Sequence, residues 1–242
     1  MIHSTQGIVL SHIKYKETSI IVNIYTRKFG RQSYVVNNVR SKRNRSGAVL
    51  LQAMTLLDME VYHRPKADLQ RIKDFRVVNP LTNIPFKQDK RAMAFFLTEL
   101  MSKVLREEEE NTDLFNFIDQ SISVFDTIKS GTANFHLFFL FQLTRFLGFA
   151  PGFEKPQEPY FDLLNGCFCD NEPTHGFFIE GADLNAWRQL YRLRIDALDA
   201  LCISGEARYS LLNKLLEYYR LHIDTLGDLK SLPIVHQLFH LP

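Results

Sequence analysis

The stretch Ser19-Ile-Ile-Val-Asn-Ile-Tyr-Thr-Arg-Lys-Phe-Gly-Arg-Gln-Ser-Tyr-Val-Val36 decides the fold. Ser19 to Thr26 and Gln32 to Val36 are rich in β-branched and aromatic residues, which suit a pleated, half-buried surface. Between them, Lys28-Phe29-Gly30-Arg31 supplies a turn in which Gly30 can take positive φ. The stretch therefore predicts an antiparallel hairpin. Outward from it, Gly7-Ile8-Val9-Leu10, Ala53 to His63 and Leu69 to Val78 read as further strands. The last two are separated by Arg64-Pro65-Lys66-Ala67-Asp68, where the proline halts pairing. Five short strands with polar turns predict a small closed barrel, because closure removes exposed edges.

After Asn79-Pro80 the apolar period lengthens to that of helices. Met93, Phe96, Leu97, Leu100, Met101 and Val104 form one face of a helix over Arg91 to Arg106, and a second helix is expected over Asp113 to Ile128. Asn134 is a candidate N-cap for a third helix that stops at Gly148. Asp183 to Leu201 and Gly205 to Ile223 are expected as two more. Phe149 to Gly181 is broken by glycine and proline and reads as an irregular excursion.

Charge is the informative property of the barrel half. The 242 residues carry a net charge of only +2, yet through Arg76 there are 14 Lys and Arg against 5 Asp and Glu. The remainder holds 15 against 22. No acid occurs between Thr18 and Leu57, where Arg27, Lys28, Arg31, Arg40, Lys42, Arg43 and Arg45 all fall. Lys14 and Lys16 add to this from the first inter-strand loop, and Lys66, Arg71 and Lys73 from near the last strands. Tyr15, Tyr25, Phe29, Tyr34, Asn37 and Asn38 sit among the cations, as expected where bases stack and phosphates are held. A solvated loop or a localisation-like run is the bland alternative. A basic five-stranded barrel instead fits the oligonucleotide-binding (OB) fold. The expected fold class is therefore α+β and multidomain. An N-terminal OB-fold β-barrel over residues 1–80 precedes an α-helical domain over residues 81–242, with an irregular, zinc-ribbon-like insertion at 149–182.

Catalytic signatures are missing: the chain has no Walker-type phosphate loop, zincin helix or nucleophile elbow, so no enzyme is expected. Cys167, Cys169 and His175 are the only metal candidates. Their C-x-C spacing and short ligand count favour small side chains that pin a loop, and no cofactor is expected. The Phe-rich run from Phe135 to Phe149 is open to two readings. It is a helix buried all round, or the wall of a groove in which Phe138, Phe141, Arg145 and Phe149 receive an apolar peptide anchor. Neither a secretory signal nor a run long enough to span a bilayer stands out, so a reducing cytoplasm is expected.

Several of these segments, taken in order, resemble the RecO family of bacterial recombination mediators. They are Gly7-Ile8-Val9-Leu10, Tyr15-Lys16-Glu17-Thr18-Ser19, Ile24-Tyr25-Thr26, Gly30, the basic run, Leu51-Gln52, Leu215 to His222 and Leu229-Lys230-Ser231. The resemblance implies a repair protein without a reaction of its own, which binds single- and double-stranded DNA and anneals complementary strands. It implies RecR as partner, the acidic, Phe-ending C-terminal tail of single-stranded-DNA-binding protein as a second, and RecA indirectly, at the nucleoid and away from membranes. Many members carry two C-x₂-C pairs that hold zinc. Here the first has become Cys167-x-Cys169 and the second is missing from Gly181 to Ala186, so the zinc does not carry over. The basic region alone leaves open an RNA-binding or ribosome-associated OB-fold protein.

Overall fold

The computed structural model describes residues 1–37, 50–65 and 67–239. Arg40, Lys42, Arg43 and Arg45, together with Lys66, lie outside the described residues. The chain divides into two compact units, Met1–Asp126 and Thr127–Pro242.

The first unit opens with strands β1 (Ile2–Lys14), β2 (Ile20–Thr26), β3 (Gly30–Val36), β4 (Leu56–Tyr62) and β5 (Gln70–Val77). They form a closed barrel in the order β1-β2-β3-β5-β4, the barrel that the sequence predicts. The β2–β3 hairpin pairs Thr26 with Gly30, and Gly30 takes φ +55° as the turn requires. Closure depends on two parallel pairs, Tyr34 with Gln70 and Val35 with Arg71. Alternate residues point inward, so Ile20, Val22 and Ile24 of β2 meet Tyr34 and Val36 of β3 and Leu57, Met59 and Val61 of β4 in one core. Tyr25 is also buried, its hydroxyl pushed up to about 12 by burial and by the charge of Glu107. Tyr25 and Tyr34 are therefore packing residues, and the expectation that they stack on bases is corrected.

Helix α1 (Gln88–Val104) lies in the same unit, as does α2 (Thr112–Thr127) up to Asp126. Asp126 anchors the approach to α1. Its carboxylate accepts from the backbone N–H of Thr82, Asn83 and Ile84 and from the Thr82 hydroxyl, at 2.7–2.9 Å. Burial alone would raise its pKa; these donors hold it below the usual carboxylate value. Lys90 is buried as well and donates to the carbonyls of Phe125 and Asp126 at 2.7 and 3.0 Å.

The second unit is built on α3 (Phe135–Phe146), α4 (Gly181–Arg192), α5 (Gly205–His222) and α6 (Leu232–Phe239). The excursion before α4 is more ordered than the sequence suggests, with a three-stranded sheet in the order β7-β6-β8 (Cys167–Cys169, Tyr160–Asp162, Phe178–Ile179). Asn134 precedes α3 but does not cap it with its side chain. Instead its amide donates to the carbonyls of Leu198 and Leu201, at 2.8 and 2.9 Å, and its oxygen accepts from Arg208 Nε at 2.8 Å. The helix expected over Asp183 to Leu201 stops at Arg192 because Leu193 turns extended, and Leu198–Ala200 forms a separate short turn. Arg194 grips Asp196 through Nε and Nη2, both at 2.9 Å, a pairing that side chains two apart on a helix do not make.

Candidate nucleic-acid interface

The β1–β2 loop and the β4–β5 loop emerge at the same end of the barrel. Residues from both, with the ends of β3 and β5, line a groove of about 950 Å³ that includes Tyr15, Lys16, Tyr62, Arg64, Arg71 and Lys73. The sequence builds this rim locally. Tyr15 N–H closes the first loop on the Ser19 carbonyl at 3.1 Å, and the Ser19 hydroxyl donates to Asn37 at the end of β3. The second loop wraps around the buried Gln70 side chain. Gln70 accepts from Arg64 N–H at 2.9 Å and donates to the Arg64 and Ala67 carbonyls at 2.8 and 2.9 Å. A buried amide thus fixes the backbone that carries Arg64, leaving its guanidinium at the rim.

The cations singled out by the sequence divide into two kinds. Lys14, Lys16 and Lys28 are exposed, and Lys16 lies with Nζ 5.4 Å from the centre of the Tyr15 ring. Arg27 and Arg31 are half-buried and engaged within the unit. Arg27 donates to Gln6 and to Asn116 on α2, at 3.2 and 2.9 Å, and stacks 4.4 Å from the Phe115 ring centre. Arg31 donates to the Ser102 carbonyl at 2.7 Å. Only Lys16 of these five lines the groove; the hairpin end bearing Arg27, Lys28 and Arg31 faces elsewhere. Lys73 and Arg76 are matched by Glu60 and Asp58 at 2.7 and 2.8 Å, so acids do temper the outer face of β4–β5.

Tyr62 and Arg64 are missing from the sequence expectation. One ends a strand and the other stands beside a proline, and neither position signals exposure at a groove until the barrel closes. Phe29, expected among the stacking residues, lies flat against His63 instead, with ring centres 4.0 Å apart.

On the helical side, Phe138 and Phe141 are buried in α3, as a helix packed all round would have them. Arg145 is exposed, while half-buried Phe149 packs on Tyr218, Tyr219 and His222. The four do not form one open wall, because the two phenylalanines point into the core. Cys167 and Cys169 flank buried Phe168 on β7; Cys167 is exposed and Cys169 half-buried, so the phenylalanine, not the thiols, pins this segment. Burial and the charge of Asp162 raise both thiol pKa values, which keeps them protonated. His175 turns to Asp162 at 3.2 Å, and among the described residues no three His, Cys, Asp or Glu side chains come together as metal ligands. These residues do not fit a structural zinc, which needs four ligands. Among the described residues, no helix is long and apolar enough to cross a membrane.

A closed five-stranded barrel with a loop-rimmed basic groove, joined to a helical domain, defines an OB-fold protein of the multidomain kind. Comparison with known proteins narrows the class. Residues 1–81 match the model of the recombination protein O N-terminal domain, and residues 88–233 that of its C-terminal domain. DNA repair protein RecO of Bacteroides fragilis is 39% identical over 241 residues, covering 99% of this chain and all of that protein. Those of Phocaeicola vulgatus and Christiangramia forsetii are 37% and 32% identical over 240 residues, with the same coverage. The chain belongs to the recombination protein O family.

Proposed function

We propose that this protein is a DNA repair and recombination mediator that binds DNA chiefly through phosphate contacts on its barrel. The observation that carries the reading is the groove between the β1–β2 and β4–β5 loops, where Lys16, Arg64 and Arg71 converge on one fixed rim. Lys14 and the basic run Arg40, Lys42, Arg43 and Arg45 extend the phosphate-contacting surface, and exposed Lys28, on the hairpin away from the groove, is a separate phosphate contact. Arg27 and Arg31 contribute positive potential while they hold the hairpin to the helices. Such contacts are indifferent to sequence and serve single and double strands alike. Two strands screened on one basic surface repel each other less, so complementary strands anneal and base pairing supplies the specificity.

No covalent step is assigned to the protein. Its partners in this reading are RecR and the acidic, Phe-ending tail of single-stranded-DNA-binding protein, and through them RecA is loaded on coated DNA. Exposed Arg145, in the last turn of α3, is the cation offered to that tail, with Phe138 and Phe141 supporting the helix from within and half-buried Phe149 following it in the chain. The protein works in the cytoplasm at the nucleoid. A strand-annealing assay tests the proposal. Acceleration of annealing that is lost at high salt supports it; no acceleration at any salt, or binding of RNA in clear preference to DNA, refutes it.

A further inference from the structure

The groove holds a second kind of chemistry besides charge. Tyr15 lines it from the β1–β2 loop and Tyr62 from the end of β4, and they are 42% and 39% exposed, in a unit whose other barrel tyrosines, Tyr25 and Tyr34, are buried. Among the described residues neither exposed ring stacks on another aromatic; the one ring contact found for either is the Lys16 ammonium beside Tyr15. Backbone geometry fixes both positions. Tyr15 sits in a loop closed by its own N–H, and Tyr62 is paired with Ile2 and Arg71 at the end of β4. A tyrosine presents a broad apolar face at low entropic cost. Two such faces left bare beside Lys16, Arg64 and Arg71 give the pairing of stacking surface and phosphate ligand that unpaired nucleotides need. A duplex keeps its bases stacked on one another and can offer the same groove only its backbone.

We infer that Tyr15 and Tyr62 are base-stacking residues that make this groove selective for unpaired nucleotides, whereas its cations serve single strands and duplex alike. The inference rests on the proposed DNA-binding role of the groove. Selectivity thus comes from rings and affinity for any polyanion from charge, and the two can be removed separately.

The test uses the full chain, its Tyr15→Ala, Tyr62→Ala and Tyr→Phe variants, and a Lys16→Ala/Arg64→Ala/Arg71→Ala variant. Binding is measured to three probes of equal phosphate count: an oligothymidylate, its abasic counterpart, and a hairpin duplex. Each Tyr→Ala change is expected to weaken oligothymidylate binding about tenfold, within the range of base–aromatic stacking. Binding of the abasic strand and of the duplex should hold, and the Tyr→Phe variants should bind as the parent does. The unchanged duplex arm also reports that the variants are folded. Equal losses on all three probes, or no loss on oligothymidylate, overturn the inference. If the triple cation variant keeps full affinity for every probe, the groove is not the phosphate site and the underlying reading fails; if it loses affinity while the tyrosine variants lose none, the stacking inference alone fails.

Discussion

Arg31 Nη1 donates to the carbonyl of Ser102, 2.7 Å away in the last turn of α1. The last carbonyls of a helix lack intrahelical donors and carry partial negative charge, so a guanidinium is well suited there. Next to it, the Arg31 N–H meets the Glu107 carbonyl at 3.0 Å, and a Cβ on Gly30 would run into the backbone of Glu107 and Glu109. A cation that the sequence offers to DNA is thus a brace between hairpin and helix. Arg31→Ala should lower stability by about 1–2 kcal/mol, as the loss of a charge-assisted hydrogen bond does. The salt dependence of DNA binding should barely change. Urea unfolding and a salt titration check the two halves, and a slope change as large as that for Lys16→Ala would place Arg31 on the phosphate path.

Asp126 gives the first unit an acid-sensitive joint. Because its hydrogen bonds make the folded carboxyl more acidic than the unfolded one, the stabilisation is complete above the unfolded pKa of about 3.9 and is lost as pH falls through the lower folded value. Asp126→Asn should cost about 2 kcal/mol near neutrality. The stability gap between parent and variant should narrow on acidification below about pH 4. Denaturation midpoints across that range give the answer; a gap that stays constant or widens contradicts this role.

In the second unit, Asn134→Ala would leave the Leu198 and Leu201 carbonyls and the Arg208 Nε without this partner. Loss of bonds to buried groups should cost about 3 kcal/mol. Asn134→Asp should fare little better, since a carboxylate cannot donate to the two carbonyls. Thermal unfolding of both variants measures this.

The sequence announced the barrel because its signal is local. Period-two alternation in β2 and β3, and a glycine where φ must be positive, need no tertiary knowledge. The helices were legible for the same reason. What escaped depends on closure. Tyr62 and Arg64 become groove residues only when β3 meets β5 over two parallel pairs. Likewise, nothing in the pattern says that Tyr34 faces inward with the core, that Tyr25 is covered on the barrel's outer face by Phe115, or that Asn134 braces distant carbonyls instead of capping its helix. Charge counting found the basic half but could not tell Lys16, exposed at a rim, from Arg27, stacked on Phe115.

The basic run is a separate prediction. Changing Arg40, Lys42, Arg43 and Arg45 together to Ala should weaken DNA binding at low salt and flatten the salt slope on single strands by about 3, near 0.7 for each phosphate no longer neutralised. Unchanged affinity and slope would remove these four residues from the DNA-contacting surface.

The central claim, that DNA phosphates are held in the groove between the two loops, is tested most directly by a salt titration. Affinity for a single-stranded oligonucleotide is measured for the parent and for the Lys16→Ala/Arg64→Ala/Arg71→Ala variant. Removing three phosphate-binding cations should flatten the plot of log affinity against log salt by about 2 and weaken binding most at low salt. Parallel lines of equal affinity would contradict the account.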